Sequence, residues 1–254
     1  MEDKISVSDY IIKYLSCKGV KQVFLVSGGG CMHLIDAIGK SKDLEYICNH
    51  HEQACAMAAE GYARLSGEIG ACIVTTGPGG TNTLTGLMGC WTDSIPTIFI
   101  SGQVQTHQTL SHTGLSVRQI GDQEVDIVSI VSPITKYAAM VKKSEDIKYH
   151  LDIAFHQALS GRKGPVWIDV PLDIQNTKIC EASLVGYEFS YRVPSPSSSQ
   201  IEEISEKLKI SKRPLLIVGN GVRLSGAIEE LQLFLKNNDI PTITGINGND
   251  LVNE

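Results

Sequence analysis

Apolar positions between residues 8 and 170 follow two alternating spacings. Short runs of consecutive apolar residues predict strands that are covered on both faces, whereas apolar residues three or four positions apart predict helices. The predicted strands span 22–26, 44–48, 71–75, 97–101 and 166–170. The predicted helices span 8–17, 32–39, 53–66 and 144–159. Strands that alternate with helices imply βαβ units, so the pattern predicts an α/β fold with a doubly wound parallel sheet.

Two of the predicted helices carry additional signals. Helix 53–66 consists largely of alanine and is apolar over much of its circumference, so we expect it to be buried on more than one side. Ser144, followed by Glu145 and Asp146, predicts an N-cap and an acidic first turn for the helix that ends near Leu159.

The alternating pattern is lost over residues 184–200, where the proline- and serine-rich run 193–199 is typical of a linker. Beyond it, the pattern predicts helices over 201–210 and 229–236 and strands over 214–218 and 240–244. We therefore expect a first domain over 1–183, a linker over 184–200, and an incomplete Rossmann-like α/β domain over 201–254. Two βα units bury little apolar surface, so we expect the chain to be a fragment or to be completed by a partner.

Charge and cysteine content exclude several classes of protein. A net charge of −6 argues against a nucleic-acid-binding protein, which would carry a basic stripe. No apolar run approaches the ~18 residues needed to cross a bilayer, and the first residues show no secretory signal, so we expect no membrane association. The seven cysteines form no C-x-x-C pair, which argues against a zinc or redox site and favours a reducing, cytoplasmic compartment.

Glycine clusters follow three of the predicted strands, at 28–30, 77–80 and 219–221. Glycine allows the backbone to approach a ligand closely, and the next helix N-terminus offers free N–H groups to an anion. A tight turn between strand and helix explains each single cluster equally well.

Three known sequence motifs do not match this chain. Leu34 stands where the P-loop requires a glycine, and Leu224 where the dinucleotide-binding motif requires one. The zincin motif fails because no second histidine follows Glu52 at the required spacing.

Glu52 lies where the predicted strand 44–48 gives way to the alanine-rich helix. A carboxylate at a helix start can simply complement the helix dipole. The neighbouring segment is apolar, however, and a carboxyl partly removed from water is suited to acid–base work. The sequence leaves both interpretations open.

Five motifs in order along the chain resemble the pyrimidine-binding domain of thiamine diphosphate (thiamine pyrophosphate) enzymes, particularly those of the acetolactate synthase type. The motifs are His51-Glu52-Gln53, Ala56-Met57-Ala58-Ala59-Glu60-Gly61-Tyr62-Ala63-Arg64, Thr76-Gly77-Pro78-Gly79-Gly80-Thr81-Asn82, Asp93-Ser94-Ile95-Pro96 and Ser101-Gly102-Gln103. The later segment 213–223 is similar to the opening of the central domain of the same family.

The resemblance implies roles for particular residues. Glu52 would hydrogen-bond N1′ of the aminopyrimidine and so assist removal of the proton at C2 of the thiazolium, which then attacks a 2-oxo acid. The loop under the pyrimidine would consist of Thr76, Gly77, Pro78, Gly79 and Asn82. Gly28 and Gly29 match a glycine pair near the reacting centre, and Gln103 would face the reactive end as a catalytic residue. Lys136 matches a lysine near flavin and substrate, although a solvated strand residue is an equal alternative.

The family also implies partners that this sequence does not supply. Mg²⁺ and the diphosphate are held by a Gly-Asp-Gly motif in a third domain, and no such motif occurs in this chain. The active site forms between two subunits, so we expect a homodimer or tetramer. We expect the isolated chain to have negligible activity, because it would lack the metal and diphosphate ligands.

Two departures from the acetolactate synthase pattern leave the substrate and FAD open. Ser27 replaces a proline before the glycine pair, and Asp122 replaces an aromatic residue before Gln123-Glu124. The run 27–30, with His33, is more like relatives of unassigned substrate, some of which are linked to surface-sugar pathways. A non-catalytic or regulatory partner of a complete synthase stays an alternative, although such a protein would need neither Glu52 nor the loop 77–79.

Overall fold

The computed structural model describes residues 4–189 and 195–252. The chain divides into two compact units, Met1–Phe189 and Ser190–Glu254. The strands of the first unit are β1 (Lys4–Ser6), β2 (Gln22–Leu25), β3 (Glu45–Cys48), β4 (Gly70–Val74), β5 (Thr97–Gln103), β6 (Tyr137–Met140), β7 (Val166–Pro171) and β8 (Lys178–Cys180). Its helices are α1 (Val7–Cys17), α2 (Met32–Lys40), α3 (Glu52–Ser66), α4 (Pro78–Thr81), α5 (Leu84–Asp93), α6 (Leu110–Thr113), α7 (Ile127–Val131), α8 (Ile147–Leu159) and α9 (Leu172–Asn176).

Six of these strands form one parallel sheet in the order β3-β2-β4-β5-β7-β6, which confirms the predicted α/β fold. The chain lays β3 on one side of β2 and β4 on the other, so the topological switch point lies between β2 and β4. Open α/β sheets place ligands at this point, outside the carboxyl ends of the strands. We call the edge where these strands end the carboxyl edge, and the opposite edge the amino edge. The short strands β1 and β8 pair antiparallel in a separate ribbon.

Helices cover both faces of the sheet. One face is buried by α1, α2 and α8, through residues such as Leu15, Leu34 and Leu151. The other face is buried by α3, α5 and α7, with Trp167 of β7 stacked on Phe99 of β5. Burial on both faces explains why the inner strands read as continuous apolar runs.

Helix α5 was absent from the sequence prediction, which placed no element over 84–93. Two glycines weaken the helical signal of this segment. A Cβ at Gly86 would lie 2.6 Å from the Cβ of Ala56 on α3, so the glycine permits close packing of the two helices. Helix α3 therefore contacts both the sheet and α5, as expected, while Met57 and Leu65 of the same helix stay exposed.

The start of α8 differs from the prediction. Residues Ser144–Asp146 form a 3₁₀ turn, and the α-helix begins only at Ile147. Asp146, not Ser144, occupies the N-cap position, and its side chain makes no capping hydrogen bond. The 3₁₀ turn places the acidic residues before the helix, because short 3₁₀ segments commonly precede α-helix N-termini.

The second unit contains α10 (Ser198–Ile210), β9 (Leu216–Val218), α11 (Gly221–Ser225), α12 (Ile228–Asn237) and β10 (Thr242–Thr244). Strands β9 and β10 pair in parallel, and Ile217 and Ile243 on them are exposed. The predicted linker 184–200 falls partly on residues 190–194, outside the described residues. Its last serines belong to α10 instead, since Ser197 caps that helix in a capping box with Gln200. The predicted domain boundaries stay a prediction.

Candidate functional site

The glycine turn after β2 contacts the segment after β4 at the switch point. The backbone N–H of Gly30 donates to Thr75 Oγ1 at 3.0 Å. A Cβ at Gly28 would lie 2.5 Å from the Cβ of Thr75, so only glycine fits there. A Cβ at Gly29 would meet nothing within 4 Å, so the space beside this residue is open to a ligand.

Glu52 is the first residue of α3, at the carboxyl end of the edge strand β3. His51 caps the helix, because its Nδ1 accepts a hydrogen bond from the backbone N–H of Gln53 at 3.1 Å. The half-buried carboxylate of Glu52 accepts a hydrogen bond from Asn82 Nδ2 at 2.9 Å through its Oε2. Within residues 4–189 and 195–252, no donor is bonded to its Oε1. Tertiary structure thus brings together two residues that lie 30 positions apart.

The turn after β4 is held in a conformation that requires glycine. Gly77 has φ +56°, and a Cβ there would lie 2.1 Å from the carbonyl oxygen of Gln123. Pro78 follows as the first residue of α4, where its missing N–H is harmless. A Cβ at Gly79 would lie 2.7 Å from Thr75 Cγ2 and 3.8 Å from Glu52 Oε1. Glycine at these two positions therefore lets the turn pack closely on Gln123 and Thr75 beside the Glu52 carboxylate.

Gln103 ends β5 and is buried, with 3% of its surface exposed. Its Oε1 accepts hydrogen bonds from Thr76 Oγ1 at 2.6 Å and from the backbone N–H of Val104 at 3.0 Å. Its Nε2 donates to the carbonyl oxygen of Val125 and to Asp169 Oδ2, both at 3.0 Å. A catalytic contact by Gln103 stays a prediction, and it would require the side chain to leave these partners.

Asp169 of β7 is a buried acid that the sequence prediction did not single out. Burial raises the pKa of its carboxyl to about 7, with a further upward contribution from Asp126, although Ser101 and Gln103 donate hydrogen bonds to it and oppose the rise. Acids are rarely buried without partners. An aspartate inside the apolar run 166–170 was therefore the signal that could have found this residue.

Comparison with known families agrees with the motifs at these turns. Residues 5–130 match the family model described as "Thiamine pyrophosphate enzyme, N-terminal TPP binding domain". Residues 201–254 match the model of the central domain of thiamine pyrophosphate enzymes. The chain belongs to the thiamine pyrophosphate enzyme family.

Curated relatives of this family member include acetolactate synthases. It is 33% identical to the acetolactate synthase large subunit of Lactococcus lactis, over 98% of this chain and 42% of that protein. It is 38% identical to a probable acetolactate synthase large subunit of Methanocaldococcus jannaschii, over 95% of this chain and 40% of that protein. The chloroplastic acetolactate synthase of Arabidopsis thaliana is 36% identical over 95% of this chain and 35% of that protein. The chain thus spans about two fifths of the length of the curated relatives it matches.

The turns at the carboxyl edge fit the pyrimidine half of thiamine pyrophosphate. A flat heterocycle needs space free of side chains, and such space lies beside Gly29, where a Cβ would meet nothing within 4 Å. A ring nitrogen that carries a proton needs an acceptor, and Glu52 Oε1 is an acceptor to which no described residue donates, while Asn82 donates to the other oxygen. Strands β2 and β4 are parallel neighbours, so the turns that follow them lie at the same carboxyl edge. These turns contain Gly28, Gly29 and residues 76–79.

Lys136 is the one predicted cofactor residue that this family member does not bring to the same edge. It directly precedes β6, so it lies at the amino edge, where its backbone N–H bonds to the carbonyl oxygen of Pro165. Its Nζ donates to the carbonyl oxygen of Ser160 at 2.6 Å, and burial lowers the pKa of the ammonium. Because all strands of the sheet are parallel, the turns at Gly28 and Gly77 lie at the opposite edge.

Residues 4–189 and 195–252 contain neither a membrane-spanning helix nor a metal-ligand cluster. No helix there is long and apolar enough to cross a membrane. No group of three or more His, Cys, Asp or Glu side chains converges there to hold a metal ion.

Proposed function

We propose that this chain supplies the pyrimidine-binding half of a thiamine diphosphate-dependent enzyme that decarboxylates and ligates 2-oxo acids, as an acetolactate synthase does. One observation carries the proposal: at the carboxyl edge, the carboxylate of Glu52 has Oε2 bonded to Asn82, while no described residue donates to Oε1, which lies 3.8 Å from where a Cβ at Gly79 would be. The relatives' names support the reaction class.

Each residue of the proposed site has a distinct task. Glu52 holds a proton at the ring nitrogen N1′ through Oε1, and Asn82 keeps the carboxylate in that orientation. Gly28 lets its turn pack closely on Thr75, Gly29 leaves the space beside it free of side chains, and the turn opposite is shaped by Thr76, Gly77, Pro78 and Gly79. When bound, thiamine diphosphate supplies a thiazolium carbon whose proton can be lost and which adds to the substrate carbonyl.

The remaining ligands of the cofactor belong to other parts of the proposed enzyme. A diphosphate with Mg²⁺ needs oxygen ligands arranged around the metal. The described residues hold no metal-ligand cluster, so we place the Mg²⁺ and diphosphate contacts outside these residues. FAD binding stays a prediction from the resemblance to acetolactate synthases.

A homodimer or tetramer forms part of the proposal. Helices α3 and α5 pack together and expose large apolar side chains, among them Met57, Met88 and Trp91. Grouped exposed apolar side chains mark interaction surfaces more often than isolated ones do. This face would bury its apolar surface against a second copy.

A cytoplasmic location also belongs to the proposal. The seven cysteines are free thiols, and Cys31, Cys55, Cys72 and Cys90 are buried. Free thiols persist in reducing compartments.

The test uses the complete protein to which this chain belongs. Thiamine diphosphate with Mg²⁺ is titrated while tryptophan fluorescence is recorded, then pyruvate and other 2-oxo acids are screened for CO₂ release, with an absorbance scan for flavin. We expect saturable cofactor binding and turnover of at least one 2-oxo acid. Absence of cofactor binding would overturn the proposal, whereas binding without turnover of any 2-oxo acid would favour a non-catalytic partner.

A further inference from the structure

The Gln103 amide is a four-way junction between three strands and a loop. It bonds to Thr76 after β4, to Val104 after β5, to Asp169 on β7 and to Val125 in the segment before α7. A glutamine amide has two N–H donors and an oxygen with two lone pairs, so these four bonds use its full capacity. Because the backbone N–H of Val104 and the carbonyl of Val125 have fixed polarity, the amide can face only one way.

Among these four partners, Asp169 alone has a side chain that is hydrogen-bonded to a further buried side chain. Its Oδ1 accepts from Ser101 Oγ at 2.6 Å, and Ser101 Oγ in turn accepts from Trp167 Nε1 at 2.8 Å. Trp167 is fully buried and stacked on Phe99. The carboxylate therefore has a position set by the rigid core of the sheet and offers its second oxygen to Gln103.

The two loops joined by Gln103 also contact each other at the candidate site. Thr76 directly precedes Gly77, and Gly77 lies so close to the carbonyl oxygen of Gln123 that a Cβ would be 2.1 Å from it. Val125, the other loop partner, follows Gln123 by two residues. A displacement of the Gln103 side chain would therefore affect both loops that form this contact.

We propose that Asp169 is a positioning residue that anchors the Gln103 amide and, through it, holds the Thr76–Gly77 turn against residues 123–125. A buried donor left without an acceptor is unfavourable, so loss of the Asp169 oxygen would release one amide proton of Gln103 and weaken its hold on both loops. The effect on cofactor binding rests on the proposed function. The link from Asp169 through Gln103 to the two loops, which we call the brace, exists without any ligand.

Substitutions can distinguish two roles of Asp169, anchoring the Gln103 amide and filling space in the core. If Asp169 only filled space, an apolar side chain of equal shape would serve as well, since such replacements of buried polar groups are often neutral. If Asp169 anchors Gln103, any replacement that keeps an acceptor should serve and an apolar one should not.

The experiment measures backbone amide hydrogen exchange by mass spectrometry in the cofactor-free protein. In D169L we expect peptides covering 75–82 and 121–126 to exchange roughly tenfold faster, the effect of one unpaired buried donor. In D169N the side-chain oxygen can still accept from Gln103, so exchange should stay within about threefold of wild type. D43L is the matched control, because it makes the same substitution at an exposed aspartate outside this hydrogen-bond network; both segments should keep their protection.

Unchanged exchange of both segments in D169L would overturn the proposal, as would equal loosening in D169L and D169N. If D169L does not fold, Q103L carries the test, since it removes all four bonds and must loosen the same two segments; unaltered exchange would again refute the brace. In the double variant D169L/Q103L, exchange should match Q103L alone, because the two residues act through one contact.

Thiamine diphosphate affinity is then compared between D169L and D169N, with about tenfold weaker binding expected in D169L only. Faster exchange together with unaltered affinity would reject the proposed cofactor role and keep the brace.

Discussion

The two edges of the six-stranded sheet end the same strands in different ways. At the amino edge, a cavity of about 380 Å³ is lined by Met88, Trp91, Lys136 and Arg162, among others. Two of its cationic side chains are paired, Lys136 with the carbonyl oxygen of Ser160 and Arg162 with the hydroxyl of Ser94. At the carboxyl edge, the Glu52 carboxylate accepts from Asn82 through one oxygen, and no described residue donates to the other. An open carboxylate oxygen at the edge where parallel sheets place ligands, more than cavity size, therefore marks the candidate site.

The largest effect is expected from E52Q in the complete protein. Glutamine keeps the shape and can still accept from Asn82, but it cannot hold a proton at N1′ as a carboxylate does. Exchange of the C2 proton of bound cofactor should slow by about 10²–10⁴-fold, the range for a positioned acid–base group. The exchange is followed by NMR after acid quench.

The control for this substitution is E45Q, the same chemical change at an exposed residue at the start of β3. It should leave C2 exchange unaltered. Wild-type exchange in E52Q would show that the carboxyl edge does not carry the assigned chemistry.

Next in size is the effect of G77A on folding. Alanine is strained at φ +56°, and its Cβ would collide with the Gln123 carbonyl. We expect a loss of about 3 kcal/mol in the free energy of unfolding, measured by urea titration. G29A serves as the matched variant at the same edge, because its Cβ meets nothing within 4 Å; its stability should stay within about 0.5 kcal/mol of wild type. Equal losses in both variants would contradict the role of the close contact.

The pH dependence of stability tests the buried acid behind the carboxyl edge. Burial raises the pKa of Asp169 from 3.8 to about 7, with Asp126 as the charged neighbour. Between about pH 4 and 7 the unfolded chain releases this proton while the folded chain retains it, so this group lowers stability as pH rises and has no further effect above pH 7. The slope is on the order of 1 kcal/mol per pH unit. Urea titrations at pH 5 and pH 7 should show the loss in wild type and not in D169N; parallel curves for the two proteins would reject the raised pKa.

A smaller effect is expected from N82A, which removes the donor to Glu52 Oε2. The carboxylate would keep its charge and lose its orientation, so C2 exchange should slow by roughly tenfold. T81A, one residue earlier, alters only a long hydroxyl contact with Pro78 and is the control. An N82A variant as fast as T81A would mean that Asn82 does not orient Glu52.

The smallest effect is expected from K136M at the amino edge. Because Lys136 lies across the sheet from the glycine turns, cofactor affinity of the complete protein should change less than about twofold. Fluorescence titration measures it. A tenfold loss would restore Lys136 to the cofactor site and erase the contrast between the edges.

Sequence patterns predicted most of the elements that form the sheet and its main helices. Periodicity is a local property, so strands such as 22–26 and helices such as 53–66 fall within one or two residues of the observed bounds. The sequence pattern did not predict helix α5, because Gly86 and Gly89 reduce its helical propensity. Both glycines permit close contact with α3, and a local stretch of sequence does not contain that information.

The candidate site divides along the same line. Glu52 and the turn 77–79 could be recognised from the sequence, because a carboxylate at a helix start and glycines after a strand are local features joined to family motifs. The Asp169–Gln103 bond joins residues 66 positions apart, and the placement of Lys136 depends on strand direction. Neither can be read from neighbours in the chain.

The sequence by itself therefore determined the α/β class, the thiamine diphosphate family resemblance and the turns that carry the chemistry, because each of these is written in short contiguous segments. Tertiary structure alone decided which turns share an edge, which oxygen of Glu52 is left open, and which buried acid braces the loops. Those properties depend on strand order and on packing between distant segments, where burial and hydrogen-bond capacity are settled by the fold as a whole.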